Sequence, residues 1–246
     1  MVETTAQKRV IVTGGNAGIG YALCKLLVVE HGCYVYMGAR NVERGIAAIE
    51  KLIAEDARCN GKVELVQVDV ADPASITAAA EAVKTKLGGE KLYALVNNAG
   101  TGLAHEGVTK DDMIKTNVYG VKNMSEAFIP LINPEGGRIV NLGSGAGPMY
   151  VVKQDDKTKS FLGAEKPTWA QLETYMNETA GSIEAFPVYG LSKAVMHKYT
   201  EISAKENPKL MISVVSPGFV NTDLCKGYGA KLTPEEGTKS TIHCLF

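Results

Sequence analysis

The stretch RVIVTGGNAGIG, residues 9–20, joins two patterns that rarely meet by chance. Its first part, RVIVT, is rich in β-branched residues and predicts a buried strand. Its second part is dense in glycine, and an apolar helical pattern runs on from it to about residue 31. Gly14, Gly18 and Gly20 permit a tight turn and close packing of the helix on the strand. The stretch therefore predicts the first strand–turn–helix unit of a parallel sheet.

Further along the chain, β-rich runs alternate with helical patterns. Several of the runs are almost continuously apolar, which is typical of strands whose two faces are both covered by helices. With right-handed crossovers, this alternation predicts an α/β fold with a Rossmann-like, doubly wound parallel sheet of six or seven strands flanked by helices on both faces. The strand candidates are 9–13, 33–39, 62–68, 92–97, 137–142 and 210–216, and the helical stretches are about 18–31, 41–57, 74–87, 110–132 and 188–206.

The 246 residues are expected to form a single domain, 1–246, because α/β folds of this length commonly remain undivided. One segment interrupts the alternation. From about 148 to 187 the sequence is polar and irregular, and it is too long for an ordinary loop. We predict an insertion here, either with some structure of its own or acting as a substrate-facing flap.

The composition argues against several classes of protein. Lys and Arg (26) nearly balance Asp and Glu (27), and no basic block stands out, so nucleic acid is not an expected partner. No apolar run approaches the roughly 20 residues of a spanning helix, and the start carries no apolar leader, so a cytoplasmic protein with no membrane partner is expected. The five cysteines have no C-x-x-C spacing, and neither a disulfide framework nor a metal site is expected.

The glycine-rich turn has the context of a dinucleotide site, because a helix N-terminus directs N–H groups and a positive dipole end at a pyrophosphate. A merely structural turn is the alternative. An NAD site usually carries a carboxylate at the end of the second strand, but here that strand ends in MGAR with Arg40. A guanidinium can bind a 2′-phosphate, and Arg44 one turn later can assist. The sequence therefore favours NADP(H), unless Arg40 simply faces solvent.

Tyr189 and Lys193 lie four positions apart in YGLSK, within the last helical stretch. On a helix these positions share a face, so a phenol and an ammonium group address the same small volume. Taken alone, the spacing also suits a solvated surface pair. Its meaning depends on the other motifs of the chain.

Four motifs in order resemble the short-chain dehydrogenase/reductase family: T-G-x-x-x-G-I-G at 13–20, NNAG at 97–100, a serine in VNLGS at 140–144, and Y-x-x-x-K at 189–193. The match runs through nearly the whole chain. The stretch ARNVERG at 39–45 and the long segment before the tyrosine make the chain most similar to the NADPH-dependent carbonyl reductases of that family. The resemblance implies reduction of a ketone or aldehyde to an alcohol.

The resemblance also implies a catalytic set. Tyr189 is the proton donor, Ser144 orients the substrate oxygen, and Asn117 supports a proton relay to Lys193. A free phenol has a pKa of about 10, and we expect the Lys193 ammonium to bring the pKa of Tyr189 down. Lys193 also holds the nicotinamide ribose in the family.

Cofactor contacts carry over from the family in the same way, although each position has a structural alternative as a turn or strand-end residue. They fall at the carboxyl ends of strands, where ligands collect in such sheets. The implied contacts are Gly14, Asn16, Ala17, Gly18, Ile19 and Gly20 in the glycine turn; Arg40 and Arg44; Asp69 and Val70 at the adenine; Asn97, Ala99 and Gly100; Tyr189 and Lys193; and Pro217, Gly218, Val220 and Thr222 beside the nicotinamide.

The chain departs from the family pattern in several places. Ala17 stands where many NADP-preferring relatives carry a basic residue, so the preference rests on Arg40 and Arg44. Gly143 and Ser144 replace the usual pair of serines. No candidate for a seventh strand is visible. Relatives with a long segment before the catalytic helix tend to be monomeric, and we expect a monomer here.

Two other functions stay open at this point. The same chemistry could run in the oxidative direction, as in an alcohol or steroid dehydrogenase. A non-catalytic NADP(H)-binding sensor is the alternative from a different class, because a fold alone does not fix function. The expected partner is a small-molecule carbonyl or alcohol substrate, whose identity and stereochemistry the sequence does not indicate.

Overall fold

The computed structural model describes residues 7–102, 107–225 and 227–246. Their strands are β1 (Arg9–Val12), β2 (Tyr34–Ala39), β3 (Val63–Gln67), β4 (Ala94–Asn97), β5 (Arg138–Leu142) and β6 (Met211–Val215). All six pair in parallel, in the order β3-β2-β1-β4-β5-β6. The predicted doubly wound parallel sheet is confirmed, and every strand candidate is a strand with slightly shorter ends.

Helices cover both faces of this sheet. Along β1, Val10 and Val12 join one hydrophobic cluster and Ile11 joins the other, because successive side chains of a strand point to opposite faces. All three are completely buried, and each such burial contributes about 1.5–3 kcal/mol. The helices are α1 (Gly18–Val29), α2 (Val42–Glu55), α3 (Pro73–Leu87), α4 (Lys110–Ile114), α5 (Gly120–Phe128), α6 (Ala146–Val152), α7 (Asp156–Leu162), α8 (Trp169–Ser182), α9 (Ala185–Glu206), α10 (Pro234–Gly237) and α11 (Lys239–Leu245).

The segment 148–187 is largely helical. It contains most of α6, all of α7 and α8, and the start of α9. The helices are short and begin at local caps: Asp155 accepts a hydrogen bond from the backbone of Thr158, and Thr168 forms a capping box with Gln171. Each of these helices buries only one side and so contains few apolar residues. The sequence of the segment therefore shows no clear helical periodicity.

The stretch 110–132 is not one continuous helix. A π-helical turn, Lys115–Tyr119, lies between α4 and α5, and a 3₁₀ turn, Ile129–Leu131, ends the stretch. Such π turns are rare in proteins, and those that occur are often found at functional sites. Here the turn carries Asn117, one of the predicted catalytic residues, which is completely buried.

Two negative findings apply to the described ranges. None of their helices is both long enough and apolar enough to cross a membrane. The same residues contain no group of three or more His, Cys, Asp or Glu side chains arranged to hold a metal ion.

Candidate active site

The predicted site residues converge at one edge of the sheet. In a parallel sheet the carboxyl ends of all strands lie together, and the loops that follow them meet there. The glycine turn follows β1, residues 97–100 end and follow β4, Ser144 follows β5, and residues 216–222 follow β6. Since these four strands are neighbours in the sheet, the loops that follow them lie side by side along this edge, which we call the crevice.

The glycine turn is fixed in shape from both sides. Gly14 and Gly18 have φ angles of 63° and 52°, a conformation that favours glycine. A methyl group added at Gly20 would lie 2.3 Å from the Gly14 carbonyl oxygen, so the chain passes too closely for any side chain. Asn98 donates from Nδ2 to the carbonyls of Thr13 (2.8 Å) and Gly14 (3.2 Å). The loop after β4 therefore pins the turn after β1.

The N-terminus of α1 is open to an anion. Its N-cap, Ala17, is exposed and has no side-chain oxygen to accept the first N–H groups, and the first turn contains no acidic residue. In contrast, α2 and α3 are capped by Asn41 and Asp72. Uncapped N–H groups and the positive dipole end at α1 fit a pyrophosphate. Asn16, beside this opening, is half-buried.

The segment after β6 lies against the glycine turn. A methyl group added at Gly18 would lie 3.1 Å from Thr222 Cγ2. A methyl group added at Gly237 would lie 2.8 Å from Val220 Cγ2 and 3.2 Å from Ile19 Cγ1. Val220 and Ile19 therefore both pack next to Gly237. The structure thus brings the two predicted cofactor segments together.

The chain reverses just before these contacts. Pro217 is half-buried, and Gly218 has a φ of 85° and faces Leu232. A short 3₁₀ turn, Asp223–Cys225, follows, and its Leu224 lies beside Gly102, as does the Tyr189 ring. This loop therefore forms one wall beside Tyr189.

Arg40 lies at the far end of the crevice, directly after β2. Its side chain is 78% exposed, and its guanidinium is 3.8 Å from the Asp69 carboxylate. An exposed pair at this distance is weak, so Arg40 remains accessible to a phosphate. Asp69 accepts a hydrogen bond from the backbone of Ala71 (3.0 Å). Arg44, the other predicted phosphate contact, is exposed in the first turn of α2.

The other residues predicted to contact the adenosine half of the cofactor are buried or half-buried. The Asn97 side chain is 2% exposed and donates to Asn141 (2.9 Å) and Ser125 (3.2 Å). A cofactor contact by Asn97 would therefore have to come from its backbone. Ala99 is half-buried beside it, and Val70 is buried against the backbone of α5.

The predicted catalytic hydroxyl groups are neighbours. Ser144 lies close enough to Tyr189 to hold down the pKa of its hydroxyl, and Ser144 Oγ accepts a hydrogen bond from the backbone of Ala146 (3.1 Å). A methyl group added at Gly102 would touch the Tyr189 ring at 3.3 Å and Leu224 at 3.1 Å. Tyr189 is half-buried, and its hydroxyl is partly desolvated.

Lys193 lies one turn beyond Tyr189 and is only 5% exposed. Its Nζ donates to the Leu142 carbonyl (2.9 Å) and lies 6.0 Å from the centre of the Tyr189 ring. Burial lowers the pKa of Lys193 to about 8.

Burial also raises the pKa of Tyr189, although its interaction with Ser144 opposes that shift. The net direction is opposite to the one expected from the Lys193 charge alone. The reason is that desolvation penalises the phenolate more than the neighbouring hydroxyl group favours it.

Asn117 connects this cluster to the loop after β4. Its Oδ1 accepts from the backbone N–H of Thr101 (2.9 Å), and its Nδ2 donates to the Thr101 carbonyl (2.9 Å) and to Ser192 Oγ (3.1 Å). A methyl group at Gly100 would lie 3.4 Å from Asn117 Oδ1 and 3.7 Å from Lys193 Nζ. Asn117 and Lys193 therefore approach the same stretch of backbone.

Some residues that shape the site were missed from the sequence. Asn98 fixes the glycine turn, and Thr13 supports it by accepting from the backbone of Asn98 and Ala99 (both 3.0 Å). Ser192 links Asn117 to the backbone of Tyr189 (2.8 Å). Asn98 and Ser192 could have been predicted as supporting residues, because they lie inside the motifs NNAG and YGLSK.

Known proteins resemble this chain over nearly its whole length. The family model described as short chain dehydrogenase matches residues 8–155. A (+)-neomenthol dehydrogenase of Arabidopsis thaliana is 35% identical over 277 residues, covering 98% of this chain and 92% of that protein. The NADPH carbonyl reductase 3 of Mus musculus is 28% identical over 253 residues, covering 95% and 88%. The solved structure of salutaridine reductase from Papaver somniferum has a TM-score of 0.84 at 27% identity, covering 98% and 96%.

Proposed function

This chain belongs to the short-chain dehydrogenase/reductase family, and we propose that it is an NADPH-dependent reductase of a ketone or aldehyde. One observation carries the proposal: the Tyr189 ring lies 6.0 Å from the buried ammonium group of Lys193 and next to Ser144, at the carboxyl edge of the sheet. Carbonyl reduction needs a hydride at carbon and a proton at oxygen. The cluster supplies a proton donor, a second hydroxyl to hold the oxygen, and a positive charge.

The residues of this chain act on the carbonyl oxygen of the substrate. NADPH, when bound, supplies the hydride to the carbonyl carbon. As the C=O π electrons move onto oxygen, Tyr189 transfers its hydroxyl proton there, and a phenolate is left. Ser144 donates a hydrogen bond that orients the carbonyl oxygen and stabilises its developing charge. Lys193 stabilises the phenolate until a proton from solvent restores the phenol, and Asn117 holds the backbone of Thr101 beside this cluster.

The pKa of Tyr189 favours the reductive direction. Because burial raises this pKa, the phenol is protonated at neutral pH and ready to donate. Alcohol oxidation would instead need the phenolate as a base at the start, and this form is scarce at neutral pH. The relatives named carbonyl reductase and salutaridine reductase also support reduction, which we rank above an alcohol or steroid dehydrogenase activity.

The preference for NADPH rests on Arg40 and Arg44, since Ala17 offers no positive charge within the glycine turn. The mouse relative named for NADPH supports the same choice. We expect Arg40→Ala to lower kcat/KM for NADPH about 10- to 100-fold and for NADH less than about 3-fold, as the loss of a bidentate phosphate contact predicts. Arg58→Ala is the matched control, because Arg58 is similarly exposed but pairs with Asp56 after α2. An equal loss with both cofactors would contradict the role of Arg40.

The function itself is tested by following NADPH oxidation with a panel of carbonyl compounds. The relatives named for neomenthol and salutaridine make monoterpene ketones and bulky polycyclic ketones the first choices, with small aldehydes as a comparison. We expect turnover with at least one class. A protein that binds NADPH but oxidises it with no carbonyl compound would contradict the proposal and favour a cofactor sensor.

We also propose that the protein is a monomer. Many family members assemble through the helix that corresponds to α9, and here α8 packs on that helix. Leu172 and Met176 of α8 are completely buried, and the Trp169 ring meets the Tyr199 ring edge-on at 5.6 Å. Light scattering at micromolar concentration should give a mass near 26.2 kDa. A stable dimer or tetramer would refute the proposal.

A further inference from the structure

We propose that His197 is a positioning residue for Ser144: its imidazole fills the hollow of the turn 143–147 and holds the Ser144 backbone where the hydroxyl reaches Tyr189. The inference rests on the proposed function, because it assigns His197 a role through Ser144. His197 lies on α9, one turn beyond Lys193, and is half-buried. It has no part in the proton transfer described above.

The first support is steric. A methyl group added at Gly143 would lie 2.3 Å from His197 Nε2 and 2.9 Å from Val214 Cγ2. Gly143 does not have the left-handed φ that by itself demands glycine. A side chain at position 143 would need the space that the imidazole occupies, so one of the two would have to move. This accounts for a glycine where relatives carry the first of two serines.

The second support comes from the other end of the same turn. A methyl group at Gly147 would lie 3.3 Å from His197 Cε1 and 3.0 Å from the backbone nitrogen of Ala194. The backbone N–H of Gly147 donates to the Ser144 carbonyl (3.1 Å), which closes the turn. The imidazole thus lies between two buried glycines, and the turn that carries Ser144 is folded around it.

The third support is a hydrogen bond. The backbone N–H of Ser144 donates to His197 Nε2 at 3.4 Å. A ring nitrogen that accepts carries no proton, so the neutral imidazole has its proton on Nδ1. Burial, with a smaller contribution from the Lys193 charge, lowers the pKa of His197 to about 4, against the opposing charge of Glu201. The accepting form is therefore the one present at neutral pH.

The test compares two replacements of His197. His197→Leu keeps most of the volume but removes the acceptor, whereas His197→Gln retains an acceptor oxygen. We expect His197→Leu to lower kcat about 10- to 100-fold, since a displacement near 1 Å costs up to about 100-fold. The dissociation constant for NADPH should change less than about 3-fold. His197→Gln should recover about 10-fold of the lost rate, a rescue that a purely space-filling role would not give.

The same replacement on a Ser144→Ala background decides whether His197 acts through Ser144. We expect His197→Leu to cost less than about 2-fold there, because residues that act as a unit are not additive. An equal loss on both backgrounds would overturn the inference. Full activity of His197→Leu, with Ser144→Ala inactive, would overturn it while leaving the proposed function intact. Full activity of Ser144→Ala would overturn the role of Ser144 and the inference together.

A size exchange keeps the proposal testable if His197→Leu fails to fold. Gly143→Ser alone should lower both the melting temperature and turnover, because the new side chain collides with the imidazole. Adding His197→Ala to Gly143→Ser should restore the melting temperature at least in part, whereas turnover should stay low because the acceptor for the Ser144 N–H is gone. If the second substitution lowers the melting temperature further, the fit between turn and imidazole is not the constraint, and the inference fails.

Discussion

Two buried lysines lie five positions apart on α9, and they differ in what surrounds their ammonium groups. Lys193 is 5% exposed and Lys198 is 2% exposed. Nζ of Lys198 donates to the carbonyls of Gly163 (2.7 Å) and Glu165 (3.2 Å) and to the Glu201 carboxylate (2.7 Å). All three of its protons therefore have acceptors, and Lys198 ties the segment between α7 and α8 to α9.

Nζ of Lys193 has a single acceptor, the Leu142 carbonyl, within the part of the chain that the structure describes. No carboxylate in that part balances its charge, and burial lowers its pKa to about 8. A buried cation with unused donors is costly to the fold and is typical of a functional site. The two lysines are almost equally buried, so the comparison shows that it is the coordination of Nζ, and not burial, that sets Lys193 apart from Lys198.

The largest difference is expected in activity. Lys193→Met should lower kcat/KM with NADPH at least about 100-fold, because it removes the charge beside Tyr189 and the ribose contact that the family resemblance implies. Lys198→Met should stay within about 3-fold of the unsubstituted protein if it folds, since its contacts lie away from the crevice. Steady-state kinetics of the two variants checks this. Similar losses in both would contradict the distinction.

Stability should show the opposite order. Lys198→Met leaves the Gly163 and Glu165 carbonyls without their donor and should lower the free energy of unfolding by about 2–3 kcal/mol. The pKa of Lys193 is lower folded than unfolded, so its protonation destabilises the fold below about pH 8, and the penalty disappears as pH rises toward 10.5. Lys193→Met should therefore be as stable as the unsubstituted protein at pH 7, or more so. Urea denaturation of both variants measures the difference. A large loss of stability in Lys193→Met alone would contradict it.

The pH dependence of reduction should report Lys193 and not Lys198. As pH rises through about 8, Lys193 loses its proton in the free enzyme and no longer stabilises the phenolate. We expect kcat/KM to fall about 10-fold per pH unit above that value, as for loss of one essential proton. Lys198→Met should keep the same profile. A profile that is flat to pH 10 would be incompatible with a charged Lys193 in the reaction.

The smallest effect is expected at Glu201. Its side chain is 62% exposed, so its pair with Lys198 is largely screened by solvent. Glu201→Gln should reduce the free energy of unfolding by less than about 1 kcal/mol and leave turnover unchanged. A thermal melt and one kinetic assay are sufficient. A greater loss would mean that the carboxylate, more than the two carbonyls, holds Lys198.

Much of this fold could be predicted because its strands are nearly continuous apolar runs separated by clear helical patterns. The order of the site motifs was likewise readable, and the structure brings Ser144, Tyr189, Lys193 and Asn117 together. The helices within 148–187 were not predicted, because each is short and depends on its cap and on packing against α9. Local sequence does not contain that packing.

Other features depend on distances between remote parts of the chain. The sequence of a helix does not show whether a lysine in it is buried. The burial and the hydrogen-bond partners of Lys193 and Lys198 could therefore not be predicted. The upward shift in the pKa of Tyr189 follows from the same burial. The inward direction of Asn97, and the fit of His197 into the turn after β5, required the folded geometry.

Tyr189→Phe removes the hydroxyl that delivers the proton but retains the ring and its packing. The decisive measurement is single-turnover NADPH oxidation, made alongside the NADPH dissociation constant of the same variant. We expect a rate about 1000-fold lower, within the range for loss of a general acid, with binding changed less than about 3-fold. A Tyr189→Phe protein that reduces the carbonyl at an undiminished rate would contradict this role of Tyr189.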